Sequence, residues 1–231
     1  KARELRKYAD SLGIVCNQAH APFPTVKPGD DEFNKYIFSK IVRAIEVASI
    51  LGAKTIIVHP WNYYNAEQNA ELYQQFLPYI KDLGMKIALE NMWNWEKGAP
   101  YAKSAACSHH DDFLRHLSLL DDKYFTACLD LGHAEIKGLD TSAVEMINAL
   151  KDRLTNLHIH DNDLCHDLHQ LPYAGSIDFK KILDALKQNN YQGDITFEAD
   201  RYIRKYPLEL YPQATKLMVE IGKYFRSYLD D

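Results

Sequence analysis

Short apolar runs alternate with longer amphipathic stretches along almost the whole chain. Thr55-Ile-Ile-Val-His59, Lys86-Ile-Ala-Leu-Glu90, Tyr124-Phe-Thr-Ala-Cys-Leu-Asp130, Asn156-Leu-His-Ile-His160 and Asp194-Ile-Thr-Phe-Glu-Ala199 have strand length and are rich in Ile, Leu, Val and Phe. With Ile14 to Ala19 they predict six buried parallel strands. Helices are predicted from the start to about Leu12, over Asp31 to Leu51, Ala66 to Leu83, around Asp111 to Leu120, over Thr141 to Lys151 and Asp178 to Gln188, with a last amphipathic helix after Pro207. Glycines at 13, 52, 84 and 193 stand just before strands, where helix C-caps belong. Strict βα alternation gives a parallel sheet with helices outside, and no Gly/Ser/Pro linker divides residues 1–231 into more than one domain.

The polar residues that close the runs change the picture from fold to chemistry. Glu90, Asp130, His160 and Glu198 each end an apolar run, and in an α/β barrel the carboxyl ends of the strands are where chemistry occurs. Oxygen and nitrogen donors converging from successive strand ends suit a divalent cation; the bland alternative is a set of carboxylates capping the following helices. His158 shares a strand face with His160 because side chains alternate with period two. Only one of the pair need reach an ion, and the other can lie a layer deeper.

His20 and His59 extend two earlier strands toward the same rim, and His133 follows Asp130 by three residues. Asp167 and His169 sit in the loop after the fifth run, where a second metal, substrate hydroxyls or plain loop solvation would each account for them. Trp93 and Trp95 directly follow Glu90 and offer an apolar wall for a sugar ring, or pack their loop onto the rim. Ala199-Asp-Arg201-Tyr-Ile-Arg204-Lys205 concentrates cations on this face, and Arg201 would suit a substrate phosphate. In Cys107-Ser-His-His-Asp111, Ser108 with Asp111 reads as a helix N-cap.

Composition narrows the partners. A net charge of −5 over 231 residues lacks the basic footprint of a nucleic-acid binder, which leaves a small polar molecule as the expected ligand. Four cysteines without a C-x-x-C pair point to a reducing, cytoplasmic compartment. No stretch reaches the ~20 apolar residues of a membrane span, and no G-x-G-x-x-G follows a strand, so a dinucleotide fold loses its main support.

Leu89-Glu90-Asn91, Leu129-Asp130-Leu-Gly-His133, His158-Ile-His160-Asp-Asn-Asp163 with Leu171-Pro-Tyr-Ala-Gly175-Ser-Ile-Asp178-Phe179, and Phe197-Glu198-Ala199 together resemble the xylose isomerase-like barrel superfamily of sugar phosphate isomerases and epimerases. The resemblance runs in order over nearly the whole chain and implies a (β/α)8 TIM barrel. It implies one divalent ion (Mn, Mg, Co or Zn) on Glu90, Asp130, His160 and Glu198, the two glutamates exchanging protons with a ketose or its phosphate through an enediolate. His133 matches a substrate-oxygen contact. An arginine that ketose 3-epimerases carry after the metal histidine has no counterpart, since His166 stands there. Endonuclease IV-type repair enzymes, with three zinc ions, belong to the same superfamily, and their ligand types recur at His20, His59, Glu90, Asp130, His133, His160, Asp167, His169 and Glu198. By the same resemblance Ile14 to His20 looks like a third strand. Six strands against the eight of a closed barrel then lead to the expectation that about forty residues, on the scale of a βαβ unit, precede Lys1 in the complete fold. The edges at Ile14 and Ile195 would otherwise need a neighbouring chain, as in a homo-oligomer, to cover them.

Overall fold

A computed structural model of the protein describes residues 1–230. Helix α1 (Ala2–Ser11) leads into β1 (Gln18–His20), followed by α2 (Asp31–Leu51), β2 (Thr55–Val58), α3 (Ala66–Gln74), α4 (Leu77–Leu83), β3 (Lys86–Glu90), α5 (His110–Ser118), β4 (Phe125–Asp130), α6 (Leu131–Ala134), α7 (Ala143–Leu150), β5 (Leu154–His158), α8 (Phe179–Gln188), α9 (Asp200–Arg204) and α10 (Tyr211–Asp230). All strand pairings are parallel and run in chain order β1-β2-β3-β4-β5. Helices lie over the outer face, and their Ile, Leu and Phe side chains merge with those of the strands into one main core. The interior face carries its own small apolar plug of Ile57, Ala88 and Cys128. The sheet curls enough for side chains on the first and last strands to meet: Asn156 Nδ2 donates to Gln18 Oε1 at 2.7 Å. This is a βα-barrel architecture, seen here as a curled sheet of five strands.

Three expectations about elements are corrected. The first strand begins at Gln18, not Ile14, because residues 14–17 find no ladder partner and Ile14 and Val15 stay exposed. The fifth lies at 154–158 rather than 156–160, so His160 falls beyond its end. The sixth run forms no ladder. Residues 194–199 touch the sheet through one parallel bridge, Ile159 with Phe197, made by Ile159 N–H to Thr196 O and Glu198 N–H to Ile159 O at 2.9 and 3.0 Å. Six strands are therefore five strands and a bridge.

Local signals explain most of the other boundaries. Asn65 and Gln68 form a capping box at the start of α3. The helix expected over 66–83 breaks after Gln74, since Pro78 has no N–H to continue the ladder and sits instead in the first turn of α4. Gly52 and Gly84 adopt left-handed φ of 94° and 63° as the C-caps of α2 and α4. The cap of α5 is His109, whose Nδ1 accepts from Asp111 N–H, while Ser108 is buried and accepts from Ala105 N–H.

With almost no ladder of its own, the 194–199 segment is held by packing. Phe197 meets Phe225 of α10 at 6.1 Å between ring centroids, and Phe225 also packs on Phe179 and Tyr173 at 5.6 and 6.1 Å. Phe225→Ala is expected to cost about 3–5 kcal/mol, the range for a buried aromatic. Hydrogen exchange should rise first in residues 194–199. Urea unfolding with a loss below about 1 kcal/mol would show that the segment is anchored elsewhere.

Candidate active site

The polar rim is one residue step above the apolar plug. Along β2, β3 and β4, moving two positions past Ile57, Ala88 and Cys128 leads to His59, Glu90 and Asp130, which therefore share the interior face. Register does the rest, pairing Asp130 with His158 at the end of β5. Burial pushes the Cys128 thiol up to about 12, leaving it a neutral packing group beneath the polar layer.

Two groups of donors form there. In the first, Glu90 Oε2 lies 3.1 Å from His59 Nε2, 3.4 Å from His158 Nδ1 and 3.5 Å from His20 Nε2, and His158 Nδ1 is also 3.0 Å from Glu198 Oε2. In the second, His160 Nε2 lies 3.1 Å from Asp130 Oδ1 and 3.4 Å from Asp167 Oδ1, and His169 Nε2 is 3.0 Å from Asp167 Oδ2. His133 joins them, 3.7 Å from Glu90 Oε1 and 3.8 Å from both Asp130 and Asp167.

Main-chain carbonyls aim three of these rings. His20 donates Nδ1–H to Ala21 O, His133 to Asn91 O and His169 to Glu198 O, at 2.7, 2.9 and 2.8 Å. Each Nε2 is thereby turned toward the carboxylates, the arrangement that fixes the tautomer of a metal-binding histidine. Asp130 is fixed just as firmly. Asn91 clamps its main chain with two hydrogen bonds of 2.7 and 2.9 Å, and its Oδ1 caps α6 through His133 N–H.

The charges are strongly interdependent. Burial disfavours ionisation of Glu90, but the charges of His158 and His59 and hydrogen bonds from His158 and His20 hold its carboxyl well below the usual range. Burial opposes Asp130 in the same way and is overcome by His133 and His160. His169 loses stability to burial as a cation, yet its bond to Asp167 raises it to about 9.

Even so, the donors are not satisfied by one another. Among the described residues, eight buried side-chain nitrogens and oxygens lack a hydrogen-bond partner, and six are here, on Glu90, Asp130, His158, Asp167 and both ring nitrogens of His160. Native interiors rarely leave such groups unpaired. The donor set, its mixed N and O chemistry and its aimed Nε2 atoms fit a divalent cation. Asp130, His133 and His160 each offer an atom within 4.8 Å of the others, as do His20, Glu90 and His158, and His160, Asp167 and His169.

Of the eleven residues expected at the site, nine line a single cavity of about 520 Å³: Glu90, Glu198, His20, His59, His133, Asp167, His169, Trp93 and Arg201. The other two, Asp130 and His160, are fully buried and do not line it. The strand-end position assigned to His160 belongs to His158, which faces both glutamates. His160 faces Asp130 and Asp167 instead. A shift of two residues in β5 keeps both rings on one face, which is why alternation alone did not separate them. Sequence reasoning missed Phe23, which stacks on His59 at 4.7 Å and lines the cavity, and the clamp by Asn91. An exposed loop aromatic carries no sequence signal for a site. Asn91, directly after the strand-end Glu90, carried a weak one.

A barrel of parallel strands with a histidine and carboxylate cluster at the strand ends defines the class. The chain belongs to the xylose isomerase-like TIM barrel family, whose model matches residues 1–221. It is 28% identical over 190 residues to an uncharacterised protein of Methanocaldococcus jannaschii, covering 78% of this chain and 62% of that one. It is 24% identical over 177 residues to a fructoselysine 3-epimerase of Shigella flexneri, covering 74% and 61%. The chain thus spans only about three-fifths of the length of these curated relatives. The crystal structure of a D-tagatose 3-epimerase-like protein superposes with a TM-score of 0.78 at 23% identity, over 99% of this chain and 83% of that one.

Gly132 permits the close approach of α6 to the His160 ring, just beyond β5. A Cβ there would fall inside the His160 ring, so Gly132→Ala must displace either the ring or the helix. The expected cost is about 1–3 kcal/mol, read by urea unfolding. The His160 ring resonances should shift in the same variant, and unchanged resonances with full stability would contradict the packing described.

Proposed function

We propose that the protein is a divalent-metal-dependent isomerase or epimerase of a ketose or ketose phosphate, moving a proton on a carbon beside a carbonyl. The observation that carries this reading is the approach of Glu90 and Glu198 to one histidine, His158, in a cavity whose buried donors lack partners. The epimerases among its relatives support it. We assign the ion to Glu90, Asp130, His158 and Glu198, with His158 taking the place first read for His160. Asp167 and His169, with His160, are the residues for a second ion. When bound, a divalent cation supplies Lewis acidity, stabilising the negative charge that grows on substrate oxygens as the proton leaves.

The chain's own groups do the rest. One of Glu90 and Glu198 removes the proton and the other returns it. Return to the opposite face of the same carbon gives an epimer, and return to the adjacent carbon by one base gives an isomer. Glu198 is the more accessible of the two, with about a third of its side chain exposed, whereas Glu90 is buried under His20, His59 and His158. His133 and His59 border the cavity as contacts for substrate oxygens, and Trp93 and Phe23 provide apolar walls against which a sugar face packs and from which water is excluded.

A second reading rests on one observation. Seven of the nine positions that match the three-zinc repair nucleases line this cavity, and the other two, Asp130 and His160, are buried beside its lining residues His133 and Asp167; such a site would hydrolyse a phosphodiester at an abasic position. Three ions per chain and cleavage of an abasic duplex would favour it. One ion and no cleavage would remove it.

The test of the first reading is deuterium wash-in from heavy water into a panel of ketoses and their phosphates with Mn²⁺, Mg²⁺, Co²⁺ or Zn²⁺. No exchange with any of them removes the reading. Glu90→Gln and Glu198→Gln should each lower exchange by at least about 10²- to 10⁴-fold with circular dichroism unchanged, whereas Asp167→Asn should lower it only about tenfold. Equal severity at Asp167, with reduced metal content, would indicate a site with more than one ion.

Metal uptake is expected to release protons. His169 holds its proton up to about 9; His20 and His160 are raised because nearby carboxylates outweigh burial, and His158 is raised well above its ordinary value by Cys128 and Glu90 against burial. A ligand histidine must be neutral. Affinity for Mn²⁺ or Zn²⁺ should therefore rise between about pH 6 and pH 9, and titration calorimetry in buffers of different ionisation enthalpy should detect the released protons. Uptake with no proton release would mean that the histidines are not ligands.

A further inference from the structure

Beside the site cavity lies a second, outward-open space of about 500 Å³, which shares Trp93, Asp167 and Arg201 with it and is otherwise lined by Trp95, Cys165 and His166. Its walls come from two different loops. Trp95, from the loop after β3, lies parallel to His166, from the loop after β5, with ring centroids 6.3 Å apart and planes 26° apart. At the junction, Arg201 of α9 donates Nη1–H to Asp167 O at 2.6 Å, which positions the guanidinium without neutralising it. Its neighbours are already engaged: Arg204 pairs with Asp200 at 2.9 Å, and Lys205 donates to Gln170 at 2.8 Å. Among the described residues, Arg201 makes no ion pair with a carboxylate, although it stands at the mouth of a cavity full of them.

We propose that this vestibule is a second subsite, which binds the anion-bearing arm of a ketose conjugate whose sugar lies in the main cavity. The inference deepens the isomerase or epimerase reading by naming a substrate class. Apolar or aliphatic linker atoms run between Trp93 and Trp95, and a phosphate or carboxylate at the end of the arm meets Arg201. A guanidinium fork matches either anion with two parallel hydrogen bonds. The indole walls supply dispersion and area without demanding a partner of their own. A plain ketose would leave the vestibule filled with water and Arg201 without a counter-ion.

Binding, measured without turnover, tests the subsite independently of the chemistry. Calorimetric Kd values are compared for D-fructose, D-fructose 6-phosphate, N-fructosylglycine and N-fructosylglycinamide, on both metal-free and Mn²⁺-loaded protein. At least one anionic ligand is expected to bind about tenfold more tightly than its neutral counterpart in the metal-free protein. Preference for the phosphate alone marks a short arm, and preference for the glycine conjugate alone a longer one. Arg201→Met should erase the anion preference, while Trp95→Ala should weaken N-fructosylglycine and N-fructosylglycinamide alike. An anion preference that appears only with Mn²⁺ bound, or that survives Arg201→Met, would place the anion on the metal and overturn the subsite. Absence of deuterium exchange alongside an Arg201-dependent preference would sink the chemistry and leave the subsite standing.

Discussion

Two carboxylates buried at neighbouring strand ends are the constraint around which the rest of the structure is arranged. Glu90 and Asp130 are almost wholly withdrawn from water, and an isolated ionised carboxylate in such a place is prohibitively costly. Five histidines offset that cost: His20, His59 and His158 around Glu90, and His133 and His160 around Asp130. Each ring must then be held where its nitrogen faces the right oxygen. That requirement explains the carbonyl bonds behind His20, His133 and His169, the Asn91 clamp and the glycine at 132. The histidine rings face the carboxylates without satisfying all of the buried atoms, so partnerless atoms remain.

Rigid and adaptable parts of the site come from different sources. The strands set the carboxylates and His158 through parallel register over an apolar plug, with no freedom to drift independently. The loops bring Trp93, Trp95, Asp167 and His169, and they are tied within themselves and to neighbouring segments, as by Asn62 to Trp93 and His169 to Glu198. Asp161 holds the later loop by accepting from the main-chain N–H groups of Asn162, Gly175 and Ile177, and an isolated bridge between Asn94 and Lys103 braces the earlier one. Strand ends set the chemistry in such a barrel, and loops decide what fits over it.

Much of this was legible in the chain because burial and alternation leave a direct mark on residue choice. A parallel strand covered on both faces must be apolar throughout, so β2, β3 and β4 declared themselves, and a carboxylate closing such a run has nowhere to go but the rim. The features that were not legible depend on partners distant in sequence. Ile14 and Val15 have strand-like side chains but no neighbouring ladder. Residues 194–199 look like β4 in composition and still form a single bridge, because pairing is a property of two segments and not of one. The start of β5 was misplaced by two residues for the same reason: Arg153 and Leu154 lie at the turn from a short 3-10 helix, where propensity is weak, and register against β4 decides.

The misplacement of β5 shows how a small error in register changes chemistry while leaving the fold intact. A slip of one residue would have turned both histidines out of the barrel and been excluded by burial alone. A slip of two preserves the face and only exchanges layers, so the hydrophobic pattern is indifferent to it. What distinguishes the layers is the charge each ring meets. His158 stands between Glu90 and Glu198, whereas His160 stands between Asp130 and Asp167. Each ring stands between two carboxylates and each has nitrogen without a hydrogen-bond partner, so the two differ in which carboxylates they meet and not in how many. Which carboxylates each ring meets is decided by the register of β5 against β4, which the order of residues along the chain does not encode.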